Sequence, residues 1–351
     1  MSFSLIGTKR NILLIPFSWL YQAGVFFFSS LYDLKIFKSR RPEIKTICVG
    51  NLSVGGTGKS PMVEYLVGTL QSRFAVAVLS RGYKRKTVGF VVAETGTTVQ
   101  DIGDEPMQFH QKFPNVVVAV DEERIEGVDL LVKQNPGLNV IILDDAYQHR
   151  AITAGLNILL TEYSNIFTKD WYLPAGSLRD LKINYKRADI IVVTKTRKDL
   201  SQEERQQVVR NIKPFAHQEI FFTTISYGTP YNIFDYEMCN LAAAEAVVLV
   251  TGIANPKPLL DYLDRFGLKV QHLQFSDHHH FNQKDIGDIL GTYQAQDIKN
   301  KIILTTEKDA VRLRSWRQLK NLPVWALPIK HRFLFEQGDA FDERVKGYVA
   351  G

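Results

Sequence analysis

The stretch Gly50-Asn51-Leu52-Ser53-Val54-Gly55-Gly56-Thr57-Gly58-Lys59-Ser60 decides the fold of this chain. An apolar run, Ile44 to Val49, precedes it and reads as a buried strand. A helix over Pro61–Leu70 follows it. A glycine-rich turn between strand and helix that ends in Gly-Lys-Ser is a phosphate cradle. Its backbone N–H groups can close on anionic oxygens, and the helix N-terminus adds a favourable dipole. Val54, Gly55, Gly56, Thr57, Gly58, Lys59 and Ser60 are therefore the candidate nucleotide loop. Lys59 would reach the outer phosphates, and the Ser60 hydroxyl would join the shell of a Mg²⁺ ion. The general pattern places Gly five residues before Gly58, where this chain has Ser53.

Outward from the loop, strand-like runs alternate with helical stretches. They are Ile44–Val49, Ala75–Leu79, Val116–Val120, Val140–Leu143, Ile158–Leu160 and Ile190–Val193. This alternation predicts an α/β fold of the P-loop NTPase type, with a mainly parallel sheet. Ligands of such sheets sit beyond the carboxyl ends of the strands. A second alternation begins near 223: strand Ala246–Val250, helix Pro258–Phe266, strand Val270–Gln274, helix Gln283–Gln294, and strands Ile302–Thr305 and Val324–Leu327. The expected organisation is an N-terminal segment, 1–40, a core domain, 41–222, and a smaller α/β domain, 223–351. The last residues of that smaller domain are free to return to the core.

The chain has 351 residues, a net charge of +6 and only two cysteines, Cys48 and Cys239. No disulfide framework follows, which suits a reducing compartment. Residues 1–45 carry seven Lys or Arg against two acids, nearly the whole excess charge. Between Arg10 and Asp33 there is no charge at all. Asn11–Tyr32 approaches the ~20 residues of a bilayer span. Pro16, Gln22 and several serines weaken it as a free span, while Trp19, Tyr21 and the basic flanks suit an interface. It reads as a membrane-associated helical segment, with a buried hairpin around Gly24 as the alternative. No small-residue cleavage site follows it. No helix-turn-helix or aromatic-interleaved basic pattern calls for nucleic acid.

Strand Val140–Leu143 delivers Asp144-Asp145, where a phosphate-loop enzyme keeps its metal-side carboxylates. Gly103-Asp104-Glu105-Pro106 offers Asp104 as a base for a hydroxyl proton, though a turn and helix start explain it equally. Ser80-Arg81-Gly82-Tyr83 follows another strand and could grip phosphate, or be a solvated basic loop. Leu173-Pro174-Ala175-Gly176-Ser177-Leu178-Arg179-Asp180 ends in an ion pair or a substrate contact. Asp277-His278-His279-His280 lacks the spacing of a zinc set. A histidine there could orient an acidic base, or the loop could simply be solvated.

Together these motifs resemble one family, the tetraacyldisaccharide 4′-kinases of lipid A biosynthesis. The resemblance also rests on Asp144-Asp145-Ala146-Tyr147-Gln148-His149, Gly252-Ile253-Ala254-Asn255-Pro256, Phe275-Ser276-Asp277-His278 and Thr306-Glu307-Lys308-Asp309-Ala310-Val311. Ser53 looks like the family's own variant, and Ala146-Tyr147 stands where the family more often has Gly-Phe. The resemblance implies an ATP- and Mg²⁺-dependent kinase on the cytoplasmic face of the bacterial inner membrane. Its acceptor would be the 4′-hydroxyl of an acylated glucosamine disaccharide 1-phosphate. It implies Asp104 as base, supported by His278, with Lys59 on the phosphates. Ser60, Glu105, Asp144 and Asp145 would surround the metal. Arg81, Tyr83, Gln148, His149 and Arg179 would meet the acceptor.

Two rival readings stand beside it. One is a membrane-associated ATPase or GTPase switch acting on a protein partner. Val193-Thr194-Lys195-Thr196-Arg197 resembles a guanine-selecting strand end, but Arg197 replaces the acid that reads guanine. The other is a non-enzymatic membrane protein with a relic loop, against which the intact Lys59, Ser60, Asp144 and Asp145 argue.

Overall fold

Val140-Ile141-Ile142-Leu143 is apolar at every position, as expected of a strand covered on both faces. In the computed structural model, which describes residues 11–351, this run lies inside a nine-stranded sheet. The strands are β1 (Lys45–Asn51), β2 (Val76–Ser80), β3 (Val91–Val92), β4 (Val117–Val120), β5 (Val140–Asp144), β6 (Leu156–Glu162), β7 (Ile190–Thr194) and β8 (Glu219–Tyr227). A separate five-stranded sheet holds β9 (Tyr231–Asn232), β10 (Ala246–Thr251), β11 (Lys269–Gln274), β12 (Lys301–Thr306) and β13 (Val324–Leu327). The chain then returns to the first sheet as β14 (Ile329–Phe333). The helices are α1 (Ile15–Asp33), α2 (Lys59–Leu70), α3 (Val99–Ile102), α4 (Asp104–Lys112), α5 (Arg124–Gln134), α6 (Gln202–Ile212), α7 (Lys257–Asp264), α8 (Gln283–Ala295), α9 (Glu307–Leu313) and α10 (Gly338–Ala350).

The large sheet runs β14-β8-β7-β6-β1-β5-β2-β4-β3. Pairings from β8 to β4 are parallel, and β3 is antiparallel to β4. Successive side chains point to opposite faces, so each strand feeds two apolar layers. Ile141, Leu143, Ile191 and Val193 enter one layer; Val140, Ile142, Ile190 and Val192 enter the other. The second layer is closed by Val63, Leu66 and Leu70 of α2 and by Phe341 and Val345 of α10. Each fully buried side chain of this size stabilises by about 1.5–3 kcal/mol. Strand order reverses around β1: β5 lies on one side and β6, next in the chain, on the other. A ligand crevice opens at such a reversal. Register places Val49 opposite Asp144, so the Gly-Lys-Ser loop and the Asp pair leave the sheet side by side.

The chain divides into two compact units. The smaller is Tyr227–Lys330, and residues from His331 onward belong to the larger one. The reason is physical: β14 extends the sheet beside β8, and α10 buries Phe341, Val345 and Val349 against it. Within the smaller unit β11-β10-β12-β13 are parallel and β9 is antiparallel to β13. Leu259 and Leu263 of α7 cover one face, and Ile286 and Ile289 of α8 the other.

The apolar N-terminal stretch is one continuous helix, which rules out the hairpin around Gly24. Lys9 and Arg10 lie outside the described residues. Residues Ile12–Asp33 are long and apolar enough to cross a membrane by length and composition, yet the helix turns its polar side to the protein. Ser18 Oγ donates to the Tyr172 carbonyl (2.9 Å) and accepts from the Ala175 N–H (3.1 Å). Tyr21 donates to the Arg179 carbonyl at 3.0 Å. Arg150 donates to the Ser29 carbonyl (2.9 Å) and to Asp33 (2.7 Å). These positions follow helical spacing, so one stripe is seated along the core. Phe17, Trp19, Leu20, Phe26, Phe27 and Phe28 are left exposed.

Candidate active site

The candidate nucleotide loop is held by polar side chains from four strands. Buried Asn51, the last residue of β1, donates to Thr57 Oγ1 at 2.8 Å. Thr194, at the end of β7, donates to the Thr57 carbonyl at 2.8 Å. Gly58 takes φ +89°, a left-handed conformation that favours glycine. A Cβ there would lie 3.0 Å from the His331 ring. His331, on β14, brings Nε2 to 2.9 Å from the Gly58 carbonyl, and its Nδ1 lies 2.9 Å from Thr223 Oγ1 of β8. Nε2–H donates to the carbonyl, and Nδ1 accepts from the threonine hydroxyl.

Burial pushes His331 down to about 4, so the ring is neutral near pH 7. The unfolded ring titrates near 6.5, so the unfolded chain holds more protons between pH 6.5 and 4. Stability from this ring is full above pH 6.5 and falls as pH drops towards 4, by on the order of 3 kcal/mol. We expect His331→Gln to show a smaller loss than the parent between pH 7 and 4.5. Urea midpoints at the two pH values measure it, and equal losses in the two proteins would refute it.

Lys59 opens α2, with Nζ 3.7 Å from Asp145 Oδ2. Arg179 straddles the same carboxylate: NH1 is 3.2 Å from Oδ2, and NH2 bonds Oδ1. NH2 also donates to Asn51 Oδ1 at 2.6 Å. Burial alone would raise Asp145, but Lys59 and Arg179 together hold it below the usual carboxylate range. Asp144 is different. Burial, then Glu105 and Asp145, push it up to about 7. The Ser80 hydroxyl donates to it at 3.0 Å. Ser60 Oγ donates to Glu105 Oε1 at 3.3 Å. A buried, charge-averse carboxyl beside a second carboxylate and a hydroxyl is a donor set that fits Mg²⁺. That ion takes one or two carboxylates and completes its shell with phosphate and water.

Asp104 and Glu105 form the first turn of α4. Gly103, at φ +91°, makes the sharp entry, and a Cβ there would sit 2.8 Å from the Tyr83 carbonyl. Arg81 and Tyr83 are exposed on the loop after β2. Gln148 donates to the Asn51 carbonyl at 2.6 Å, so its amide supports the end of β1. His149 lies 3.9 Å from Glu123, and burial followed by the Arg124 charge holds its ring below the usual histidine range. Lys59, Ser60, Glu105, Asp144, Asp145 and Arg179 thus form one connected set. His278 belongs to the smaller unit.

Several supports of the site carry no signal in the sequence. His331 belongs to no motif and arrives from 273 positions downstream of Gly58. Arg124 is 2% exposed, with NH1 on the Asp121 and Glu122 carbonyls. Asn51 and Thr194 stand inside motifs, but only the register of β1 and β7 gives them work. The Tyr147 departure from the family pattern has a physical account: its buried hydroxyl donates to the Asn184 carbonyl at 2.8 Å, and Arg187 lies over its ring. Arg197 pairs with Glu204, so that strand end is closed by a surface ion pair.

The family model for tetraacyldisaccharide-1-P 4′-kinase matches residues 10–350. The tetraacyldisaccharide 4′-kinase of Flavobacterium johnsoniae is 42% identical over 96% of each chain. That of Phocaeicola vulgatus is 40% identical over 97% of this chain and 96% of its own. A crystal structure of LpxK from Aquifex aeolicus in complex with ATP has a TM-score of 0.75 and 30% identity, covering 96% of this chain and 98% of that one. With the phosphate loop, the carboxylate pair and the doubly wound sheet described above, these matches make the chain a member of the tetraacyldisaccharide-1-P 4′-kinase family.

Proposed function

We infer that this protein transfers the γ-phosphate of ATP to the 4′-hydroxyl of an acylated glucosamine disaccharide 1-phosphate. The observation that carries the reading is the family match over residues 10–350. The connected set around Lys59 and Asp145 supports it, because it offers both cationic and anionic groups at the mouth of the phosphate loop. Asp104 accepts the hydroxyl proton as the new P–O bond forms and the bond from the γ-phosphorus to ADP breaks. Lys59 offsets charge on the transferring group, and Asp145 holds both Lys59 and Arg179. Mg²⁺, when bound, would offset negative charge on the triphosphate. Ser60, Glu105 and Asp144 would hold it. Arg81, Tyr83, His149 and Arg179 meet the acceptor's sugar and phosphate oxygens.

The test is incubation with γ-labelled ATP and a panel of lipid A precursors, followed by thin-layer separation. Label should appear in the lipid only with an acylated disaccharide 1-phosphate. Phosphate release that ignores the acceptor would favour a nucleotide switch.

We also infer that α1 rests on the cytoplasmic surface of the bacterial inner membrane. A helix seated along its length on a protein cannot cross the bilayer, but its outward aromatic face can enter the interface. An acylated acceptor stays in the bilayer, so the site must come to it. Replacing Trp19, Leu20 and Phe27 by Glu should abolish co-sedimentation with vesicles and leave ATP binding intact. Undiminished sedimentation would refute the placement.

A further inference from the structure

Helix α1 makes contacts that an anchor does not need. A helix that only meets lipid has no use for a hydroxyl aimed at a distant carbonyl. Yet Tyr21 donates its one phenolic proton to the Arg179 carbonyl, 3.0 Å away and 158 positions downstream. Ser18, three residues earlier on the same face, is buried and holds the other end of that loop. Its Oγ donates to the Tyr172 carbonyl and accepts from the Ala175 N–H. The two hydroxyls thus grip residues 172–179 at both ends.

That loop belongs to the site. The Arg179 N–H donates to the Leu52 carbonyl, and the Val54 N–H donates to the Ser177 carbonyl, each at 2.8 Å. The loop therefore runs beside the residues that open the phosphate turn, with Ser53 bridged to Leu178. The Arg179 guanidinium then bonds Asp145 and, at 2.6 Å, Asn51 Oδ1. Asn51 in turn holds Thr57 at 2.8 Å. From the Tyr21 hydroxyl to this guanidinium the connection is a single residue. The same helix reaches the loop that follows Asp145. Arg150 donates to the Ser29 carbonyl (2.9 Å) and hydroxyl (2.6 Å), and Gln148 of that loop donates to the Asn51 carbonyl at 2.6 Å. Both loops that converge on Asp145 and Asn51 are seated on α1.

We propose that Tyr21 is a positioning residue for phosphoryl transfer: its hydroxyl fixes the Arg179 backbone, and with it the guanidinium that holds Asp145 and Asn51. This rests on the function and the membrane seat assigned above. It makes α1 a working part of the site, so that contact with a lipid surface and the geometry at Asp145 depend on one helix.

The test compares the full-length parent with Tyr21→Phe, which keeps the ring and removes only the donor. Amide hydrogen exchange without nucleotide should quicken by about 2- to 10-fold in residues 50–58 and 171–181, the reach of one ordinary hydrogen bond, and stay parental in β7 and α10. In detergent micelles kcat should fall by about the same factor, while co-sedimentation with vesicles is kept. In Arg179→Met the guanidinium is gone, so adding Tyr21→Phe should lower kcat no further. A merely structural hydroxyl would cost the same factor in both backgrounds. Parental exchange, parental kcat, loss of co-sedimentation, or an undiminished penalty in the Arg179→Met background would each overturn the proposal. A parent that labels no lipid would refute the kinase reading instead, and the exchange result alone then decides the link from Tyr21 to Arg179.

Discussion

Replacing Asp104 by Asn should lower turnover by about 10²- to 10⁴-fold while ATP binds as before. Asn keeps the size of the side chain at the start of α4 and its ability to accept hydrogen bonds, but it cannot take a proton. The entry at Gly103 is set by backbone geometry, which this change leaves alone. Asp104 also stands outside the Gly55–Ser60 loop, so nucleotide affinity has no reason to move. Single-turnover transfer to the lipid acceptor, with ATP affinity measured separately, decides it. Turnover within a few-fold of the parent would end the assignment of Asp104 as base.

Lys59→Met should have the next largest effect, a loss on the order of 10²- to 10³-fold in the transfer step. Lys59 is the only cation within the Gly50–Ser60 stretch. It is mostly buried, and Asp145 holds it at 3.7 Å. Met retains the apolar stem and removes the charge. Arg179 stays on Asp145, so the neighbouring carboxylate keeps one partner and the loop keeps its frame. The defect should therefore appear in kcat at saturating ATP as well as in ATP affinity. A variant that keeps more than about a tenth of parental turnover would contradict the role given to Lys59.

What can be read from the sequence follows from how local each signal is. The phosphate loop is legible because strand, glycines and helix are contiguous, and β1 and α2 flank it as the spacing requires. Asp144 and Asp145 are legible because an apolar strand, β5, ends on them. That the two carboxyls differ, one repelled by its burial and one held by Lys59 and Arg179, depends on side chains brought in by other strands. β14 and α10 escape a reading of the sequence, since Ile329–Phe333 has charged residues at alternate positions and reads as loop. Their placement decides where the smaller unit stops. The three-histidine run is legible as a site of interest, but only the fold shows that His279 stacks on Phe275 while Lys308 of α9 lies 3.3 Å from His278.

His331 carries a consequence for how this protein comes into being. The Gly55–Ser60 turn emerges from the ribosome long before the imidazole that props it, 273 positions downstream of Gly58. Until that ring arrives, the Gly58 carbonyl has only the Met62 N–H of its own helix, and Asn51 and Thr194 hold the turn at Thr57. The frame of the turn is thus completed only near the close of translation, when the last strand delivers its imidazole.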